Sequence, residues 1–420
     1  MLCIETVLVN NAHAARADYA LGVNTEYSDN QNLSADNELT DIKMSYLAGI
    51  SFHENTASIQ SDLRALAEYN KYKNGTFEDE VILNLSTENI WTIRPSSFFW
   101  VLEDYFSQTE NDVLLNETPD NLINTNVFST GPDIYFRIDP VNKIAINMRA
   151  SSYNFEDNDT DSKRGSLRLG WVYNVHSSLE VSINTEFQDI SYDEIVDSDY
   201  SSQDYFISIN SEYSRSVFHL DFGTSFIHRD TREDFDANLL RMTWVNQFRS
   251  QSFFTLDVSS QITDSGLDLQ MSSSSDQEFD RTGTQISGDI YKANNIEAIY
   301  HIANGYRSFD FTLGFRDEDF EEVEQDRILK RFGFNFSYNY FTRVLISTLL
   351  QYEKVDNTDI LQLDEQITAG VSFDYRMSRN FTFRTEITSI KNTSNVSTSE
   401  YDENRLLFSL NYSGNPQSYR

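Results

Sequence analysis

The chain is poor in the residues that several common fold classes need. Its 420 residues include one cysteine, Cys3, which lies in a segment interpreted below as a targeting peptide. The mature chain would therefore have no disulfide and no zinc–thiolate site. No apolar run reaches the roughly 18 residues of a transmembrane helix, and the mean hydropathy is −0.50. A helical membrane span is excluded.

Positive charge is also scarce. The chain carries 32 Lys and Arg against 66 Asp and Glu, a net charge of −34, so a nucleic-acid partner is not expected. Only 6 His are present, and we find no G-x-S-x-G or H-E-x-x-H motif. We therefore predict no enzyme, no catalytic residue and no cofactor. Two histidines, His219 and His301, are expected on polar strand faces as hydrogen-bonded lining residues, with a catalytic base as the less favoured alternative.

What the sequence has is aromatic alternation. Phe332, Phe334, Phe336, Tyr338 and Tyr340 alternate with polar residues and glycine, and the same period of two recurs from Leu167 to Leu410. A period of two is typical of β-strands with one apolar and one polar face. The 30 Phe and 23 Tyr suit strands and membrane interfaces.

Short polar breaks divide this pattern about every 40 residues, and longer acidic breaks lie between them. The nine short breaks fall at 53–56, 94–97, 139–143, 175–178, 214–217, 249–252, 303–307, 340–343 and 377–380. They predict about 20 strands (18–20), each about ten residues long, enough to cross a bilayer when tilted. The predicted fold is all-β, a transmembrane antiparallel up-and-down β-barrel with short periplasmic turns and long acidic extracellular loops.

A large soluble β-protein, such as stacked sandwiches or a β-helix, is the alternative. Gly, Ser, Thr, Asn and paired charges on the polar faces, aromatics near strand ends and only 5 Pro favour the membrane barrel. We therefore expect the bacterial outer membrane. The expected domains are a truncated signal peptide at 1–17, the barrel at 18–413 and a periplasmic extension at 414–420. For the first segment, the small residues Ala12 and Ala14 suggest a cleavage site, with an ordinary tail as the alternative.

The predicted inward faces carry charges of both signs, which either pair across strands on a solvated wall or form a selective lining for a polar solute. The candidate lumen-lining residues are Arg137, Arg149, Arg168, Glu180, Glu186, Glu212, Asp221, Arg241, Asp257, Asp310, Arg316, Arg331, Asp374, Arg376, Arg384 and Glu386.

Most of the remaining Asp and Glu residues lie in predicted long loops such as Asp189 to Asp204 and Asp356 to Glu365. A solvated, repulsive outer surface explains these loops, and no loop has the ligand spacing of a calcium site, so no metal is expected. The segment Asp264 to Asn295 is unusually long. It either folds into the lumen and narrows it or is an exposed mobile loop.

The stretch from Val127 to Pro140, with its Ser-Thr-Gly-Pro-Asp strand start, and the later Gly170, Trp171 and Tyr173 resemble the β-barrel porin 2 family. The resemblance implies an outer-membrane barrel, with a role in surface or exopolysaccharide export in Gram-negative bacteria as a further implication, and it supplies no catalytic residues. The chain departs from that pattern because Ser413 to Arg420 extends past the terminal aromatic Tyr412.

The predicted function is porin-like passage of polar solutes, accessory to exopolysaccharide export. The alternative is a structural or surface-interaction barrel with a closed lumen and working acidic loops. Expected partners are outer-membrane lipid and lipopolysaccharide, the barrel assembly machinery and a polysaccharide.

Overall fold

The chain forms one closed antiparallel barrel with a short helix inside it. The computed structural model describes residues 13–156, 158–195, 198–229, 232–273, 286, 289–321 and 323–414. A single turn of 3-10 helix (Pro119–Asn121) precedes the sixth strand, and α1 (Ser265–Ser273) follows the thirteenth. The strands are β1 (His13–Ser28), β2 (Asp41–Asn55), β3 (Ile59–Tyr72), β4 (Glu80–Arg94), β5 (Phe98–Glu110), β6 (Leu122–Arg137), β7 (Asn142–Phe155), β8 (Ser162–His176), β9 (Leu179–Tyr192), β10 (Tyr200–Tyr213), β11 (Ser216–Arg229), β12 (Phe235–Arg249), β13 (Ser252–Thr263), β14 (Tyr291–Asn304), β15 (Arg307–Phe320), β16 (Arg327–Tyr340), β17 (Val344–Asn357), β18 (Gln362–Arg376), β19 (Phe381–Ser394) and β20 (Tyr401–Ser413).

Each strand pairs with its neighbour in sequence, and the ring closes where β1 pairs with β20. In that closing pair Ala20 lies opposite Ser413 and Ser28 lies opposite Arg405. Closure gives each strand a hydrogen-bonded neighbour on both sides, with β1 joined to β20 from Ala20 to Ser28. The predicted all-β barrel of about 20 strands is therefore confirmed. Among the described residues, no helix has the length and apolar character to cross a bilayer.

Short turns at one end alternate with mostly longer connections at the other. The predicted long loop Asp356 to Glu365 is an exception, because β17 continues to Asn357 and β18 begins at Gln362. Nine turns of two to four residues join the strand pairs at one end, at the places where the polar breaks predict them. The turn from β6 to β7 shows the local cause: Asp139 Oδ1 accepts hydrogen bonds from the backbone N–H of Val141 at 2.8 Å and of Asn142 at 2.9 Å. These bonds hold the pKa of Asp139 below its usual value. The first turn begins later than predicted, because β2 continues to Asn55.

The outer wall is apolar over the middle of the strands. Phe222, Leu313 and Ile387 point away from the lumen, and their apolar side chains are 61%, 57% and 61% exposed. Aromatic pairs such as Tyr19 with Tyr412 and Phe248 with Tyr300 lie near the short turns. An exposed apolar band with aromatic residues near its edge is the surface that a barrel presents to lipid.

The predicted segment boundaries fall on or near undescribed residues. Strand β1 begins at His13 and includes Ala14 and Ala17, so residues 13–17 of the predicted signal peptide belong to a barrel strand. Residues 1–12 and 415–420 lie outside the described residues. Signal cleavage and the periplasmic extension stay predictions.

Candidate functional site: the lumen and its inserted loop

The connection between β13 and β14 begins inside the barrel, as its described residues 264–273 show. Asp264 begins α1, because its Oδ1 accepts a hydrogen bond from the backbone N–H of Leu267 at 2.8 Å. An aspartate that caps a helix in this way satisfies one of the free N–H groups of the first turn. The other carboxylate oxygen of Asp264 accepts hydrogen bonds from Arg164 on β8 and Tyr200 on β10. The side chains of Arg164 and Asp264 are only 5% and 3% exposed.

A second ion pair fixes the middle of α1 to another part of the wall. Asp268 Oδ2 lies 2.8 Å from Arg316 Nη2 on β15. Arg316 also pairs with Glu318 at 2.5 Å, and Glu318 contacts Arg327 on β16. The helix is therefore held from β8 and β10 on one side and from β15 on another.

Apolar contacts complete the docking of α1. Leu269 is fully buried in a cluster with Tyr105, Val127, Tyr153 and Phe155 from β5, β6 and β7. Tyr153 Oη also donates to Gln270 Oε1 at 2.6 Å. Gly266 lies against the same tyrosine, since a Cβ at that position would come within 2.7 Å of Tyr153 Cδ1. Only glycine lets the helix approach the wall this closely.

The described part of the loop thus lies inside the barrel, which favours the narrowing hypothesis over an exposed loop. Its end differs from the prediction: β14 begins at Tyr291, so Lys292 to Asn295 belong to a strand. Lys292 and Asn294 are outward residues near the long-loop end, and Asn294 Nδ2 donates to Asp317 there at 3.3 Å. Polar outward residues at a barrel rim look like loop in the sequence, which explains the error.

All sixteen candidate lumen-lining residues lie on the strand face that carries Tyr153 and Arg164, as the pairing registers show. Many have a partner of opposite charge or a polar neighbour. The contacts are Arg149–Asp133 (2.7 Å), Glu180–Lys143 (2.9 Å), Glu186–Gln188 (3.1 Å), Asp257–Thr243 (2.6 Å), Asp310–His301 (2.5 Å), Arg331–Glu353 (2.8 Å) and Arg384–Glu386 (2.5 Å). Arg384 also lies 3.9 Å from Asp374.

One group brings several candidates together on β10 to β12. Arg241 lies 4.0 Å from both Asp204 and Asp221, and Asp221 lies 3.3 Å from His219 Nε2. The guanidinium of Arg168 stacks over a neighbouring ring, Phe206, at 4.7 Å. Three candidates do not join such a group: Arg137, Glu212 and Arg376 are exposed at the short-turn ends of their strands.

These contacts agree with cross-strand pairing on a polar wall, and a solute-selective role for the sixteen residues stays a prediction.

The sequence analysis missed Arg164, Asp264 and Asp268, which anchor the loop. Arg164 lies on the polar face of β8, three residues before Leu167, where the alternation of the sequence analysis begins. It is an even number of residues from Arg168, and this spacing could have identified it as a lumen-facing residue. No sequence signal pairs it with Asp264, one hundred residues away.

At the long-loop end of the barrel, two acidic groups of neighbouring loops come together. Glu194 hydrogen-bonds to Asp159 of the neighbouring loop, and this contact between two carboxyls raises the pKa of Glu194.

Part of the chain matches a known family. The model of a family described as "Putative beta-barrel porin 2" matches residues 322–413, which lie apart from the Val127 to Pro140 stretch on which we based the resemblance. No curated protein matches the chain.

Solved structures that the chain matches include the outer membrane protein OpdK from Pseudomonas aeruginosa (9% identity, TM-score 0.38, covering 95% of this chain and 99% of that chain). Another is OccK2 (OpdF) from Pseudomonas aeruginosa in complex with glucuronate (9% identity, TM-score 0.39, covering 95% of this chain and 98% of that chain). A third is the siderophore receptor PirA from Pseudomonas aeruginosa (9% identity, TM-score 0.44, covering 94% of this chain and 80% of that chain).

Proposed function

Because the chain is a bacterial outer-membrane β-barrel whose C-terminal strands match a porin family model, we propose that it is a porin-like channel for small polar solutes. The loop of residues 264–290 would narrow its path. The observation that carries this proposal is the docking of α1 inside the lumen by Arg164, Arg316 and the Leu269 cluster. A barrel of this strand number is too wide for wall side chains alone to fill. An anchored loop reduces the width of the lumen inside the ring of strands.

The charges along the wall favour a polar cargo. Both signs are present, as in the group formed by Arg241, Asp204 and Asp221 and in the pair of Arg331 with Glu353. Neighbouring positive and negative groups exchange hydrogen bonds with a polar solute and give no strong preference for one sign of charge. Neutral and zwitterionic solutes are therefore the class that this wall suits best.

Liposome swelling tests the proposal directly. Purified protein in proteoliposomes should admit amino acids and monosaccharides faster than oligosaccharides, while protein-free liposomes admit neither. Equal exclusion of every solute would contradict the channel and favour the alternative, a structural or surface-interaction barrel with a closed lumen. For that alternative the specific observation is the acidic surface at the long-loop end, including the contact of Glu194 with Asp159.

A role in exopolysaccharide export is a finer proposal, supported by the family resemblance in the sequence. Oligosaccharide fragments should then interrupt the single-channel current from one side, and absence of any block would count against it. Lipopolysaccharide, the barrel assembly machinery and a polysaccharide are the proposed partners. We expect purified protein to hydrolyse neither lipid nor peptide, and hydrolysis lost on changing His219 would overturn that expectation.

A further inference from the structure

The loop between β5 and β6, residues 111–121, contacts loops from a distant part of the ring. Asn116 Nδ2 donates to the backbone carbonyl of Leu33, in the loop between β1 and β2, at 2.7 Å. The same amide donates to the backbone carbonyl of Thr398, in the loop between β19 and β20, at 3.4 Å. These bonds connect parts of the wall that are not neighbours in the sheet.

A second group of bonds joins this loop to β18. Gln362 Nε2, at the start of β18, donates to Leu114 O and to Ser399 Oγ, each at 3.3 Å. Strands β5 and β18 are seven steps apart in the ring. With strands about 4.8 Å apart and tilted by about 40°, these steps correspond to about 40 Å of rim. A loop of this length that leaves the wall and returns to it reaches at most about 20 Å. The loop therefore meets β18 across the opening of the barrel and not along its rim.

Internal bonds fix the shape of the loop. Asn121 is buried, and its side chain accepts from the N–H of Asp112 at 3.1 Å and donates to the carbonyl of Asp112 at 2.8 Å. The N–H of Asn111 donates to Asn121 O at 2.8 Å and closes the base of the loop. Compact loops of this kind, with their ends close together, are frequently functional. A loop that is fixed internally can move as one piece when its contacts to other loops break.

The loop that receives Asn116 is also fixed in shape. Asn30 is fully buried, and its Nδ2 donates to Ser34 O and to Asp402 O of β20, each at 2.9 Å. Leu33, whose carbonyl accepts from Asn116, has a φ of +49°. This left-handed conformation is uncommon for a residue that has a Cβ. The accepting carbonyl therefore has a defined position at the rim.

Negative charge opposes the contact between these loops. Residues 29–40, 111–121 and 395–400 together include seven Asp and Glu residues and no Lys, Arg or His. Like charges repel one another within a Debye length, which is about 8 Å at physiological salt. Amide hydrogen bonds hold the loops together against this repulsion. Two opposing terms of this kind permit both a closed and an open position of the loop.

We propose that residues 111–121 form a movable lid over the long-loop end of the lumen. The lid covers the sector from β18 through β1 to β5, and solute passes there only when the lid is released. Asn357 and Glu403, which face the lumen near this end, are 2% and 0% exposed, in agreement with a closed cover. The effect of the lid on passage rests on the proposed channel function, whereas its movement does not.

A covalent tether tests the effect on passage. In a Cys3→Ser background, Asn116→Cys and Thr398→Cys are joined by a short bifunctional thiosulfonate, which dithiothreitol cleaves. The tethered protein should show smaller current steps than the same protein after reduction, or none. Each single-cysteine variant, treated in the same way, should show equal steps before and after reduction and serves as the control. Equal steps of the double variant before and after reduction would overturn the lid. Silence of every folded variant would contradict the channel, and the distance measurement below then decides on the lid.

Spin-label distances detect the lid without any current. Labels at Leu115→Cys and Leu361→Cys, two exposed positions beside the contact between the lid and β18, should give a main short distance and a minor longer one in nanodiscs. The combined change of Asn116→Ala and Gln362→Ala removes at least two hydrogen bonds. The ratio of the longer to the shorter distance should then rise by about five- to a hundredfold.

The matched control places labels at Leu361→Cys and Val396→Cys. These positions lie in two loops that Asn395 joins by donating to Leu361 O at 2.6 Å, so their distance should not change in the double-alanine variant. In the wild type, low ionic strength should increase the longer-distance population of the lid pair, because the repulsion is then less screened. A single short distance at every ionic strength, or an unchanged distribution in the double-alanine variant, would contradict the movable lid.

Discussion

Replacing Arg164 with alanine is the most informative single change in the lumen. Arg164 and Asp264 form the buried ion pair at the start of α1, and the guanidinium also lies 5.1 Å from the ring of Tyr153. Among the described residues, the substitution leaves the buried Asp264 carboxylate with Tyr200 and the backbone N–H of Leu267 as donors. Since β8 pairs along its length with β7 and β9, the barrel itself should persist. The docking of the loop is what the change weakens.

The size of the effect follows from that burial. Removing one partner of a buried ion pair costs about 3–5 kcal/mol, and every 1.4 kcal/mol is about tenfold in an equilibrium. The ratio of docked to released loop should therefore fall by about a hundred- to a few thousand-fold. The Asp268–Arg316 pair remains, and burial of Leu269 contributes about 1.5–3 kcal/mol. We expect the loop to exchange between docked and released states instead of leaving permanently.

Single-channel recording in planar bilayers detects this exchange between the docked and released states of the loop. Arg164→Ala should switch between the wild-type conductance and a larger one. Arg384→Ala is the matched control, because it removes the same charge from the lumen wall at a half-exposed site with no contact to the described residues of the loop. If both variants show the same single conductance level, the ion pair does not hold the loop, and our reasoning about the constriction is wrong.

Three further predictions concern packing, lipid contact and pH. Leu269→Ala should weaken docking of α1 by about 2–5 kcal/mol through the cavity it leaves, seen as faster proteolysis within 264–290, and unchanged cleavage would contradict the buried position. Leu313→Arg on the outer wall should destabilise the barrel by about 2–4 kcal/mol in urea titrations, whereas Leu349→Arg, which faces inward, should cost less; equal costs would contradict the assignment of the two faces. The raised pKa of Glu194 means that its contact with Asp159 is stable in acid and is lost as the pH rises through that raised value. The protection of the two loops from hydrogen exchange, corrected at each pH for the intrinsic exchange rate, should therefore fall from acidic to neutral pH, and Glu194→Gln should abolish this fall; a fall in protection that survives the change would exclude this contact as its source.

The sequence predicted the wall of the barrel because each strand obeys a local rule. A residue that faces lipid is usually apolar, whereas the residues before and after it face the lumen and can be polar. The alternation from Phe332 to Tyr340 therefore indicates which side chains face lipid. Short turns also carry local signals, such as Asp139 with the residues that follow it. These are properties of a few adjacent residues and need no knowledge of the tertiary structure.

The inserted loop and the polar residues on the lipid face of β4 and β5 follow from relations that span the chain. Arg164 meets Asp264 only because the barrel closes with this register, and Asp268 meets Arg316 for the same reason. Asp104 and Thr87 look like ordinary polar residues in the sequence. They become unusual only when the registers of β4, β5 and β6 place them on the lipid face. Strand pairing across the ring is what the alternation pattern does not contain.

The central claim is that solute passes through a lumen narrowed by the loop between β13 and β14. Comparing single-channel conductance of the wild type with that of a variant lacking Ser265 to Gly283 tests it most directly. We predict resolved current steps in both proteins and larger steps in the deletion variant. Equal conductance would contradict the constriction, and silence of both folded proteins would contradict the channel.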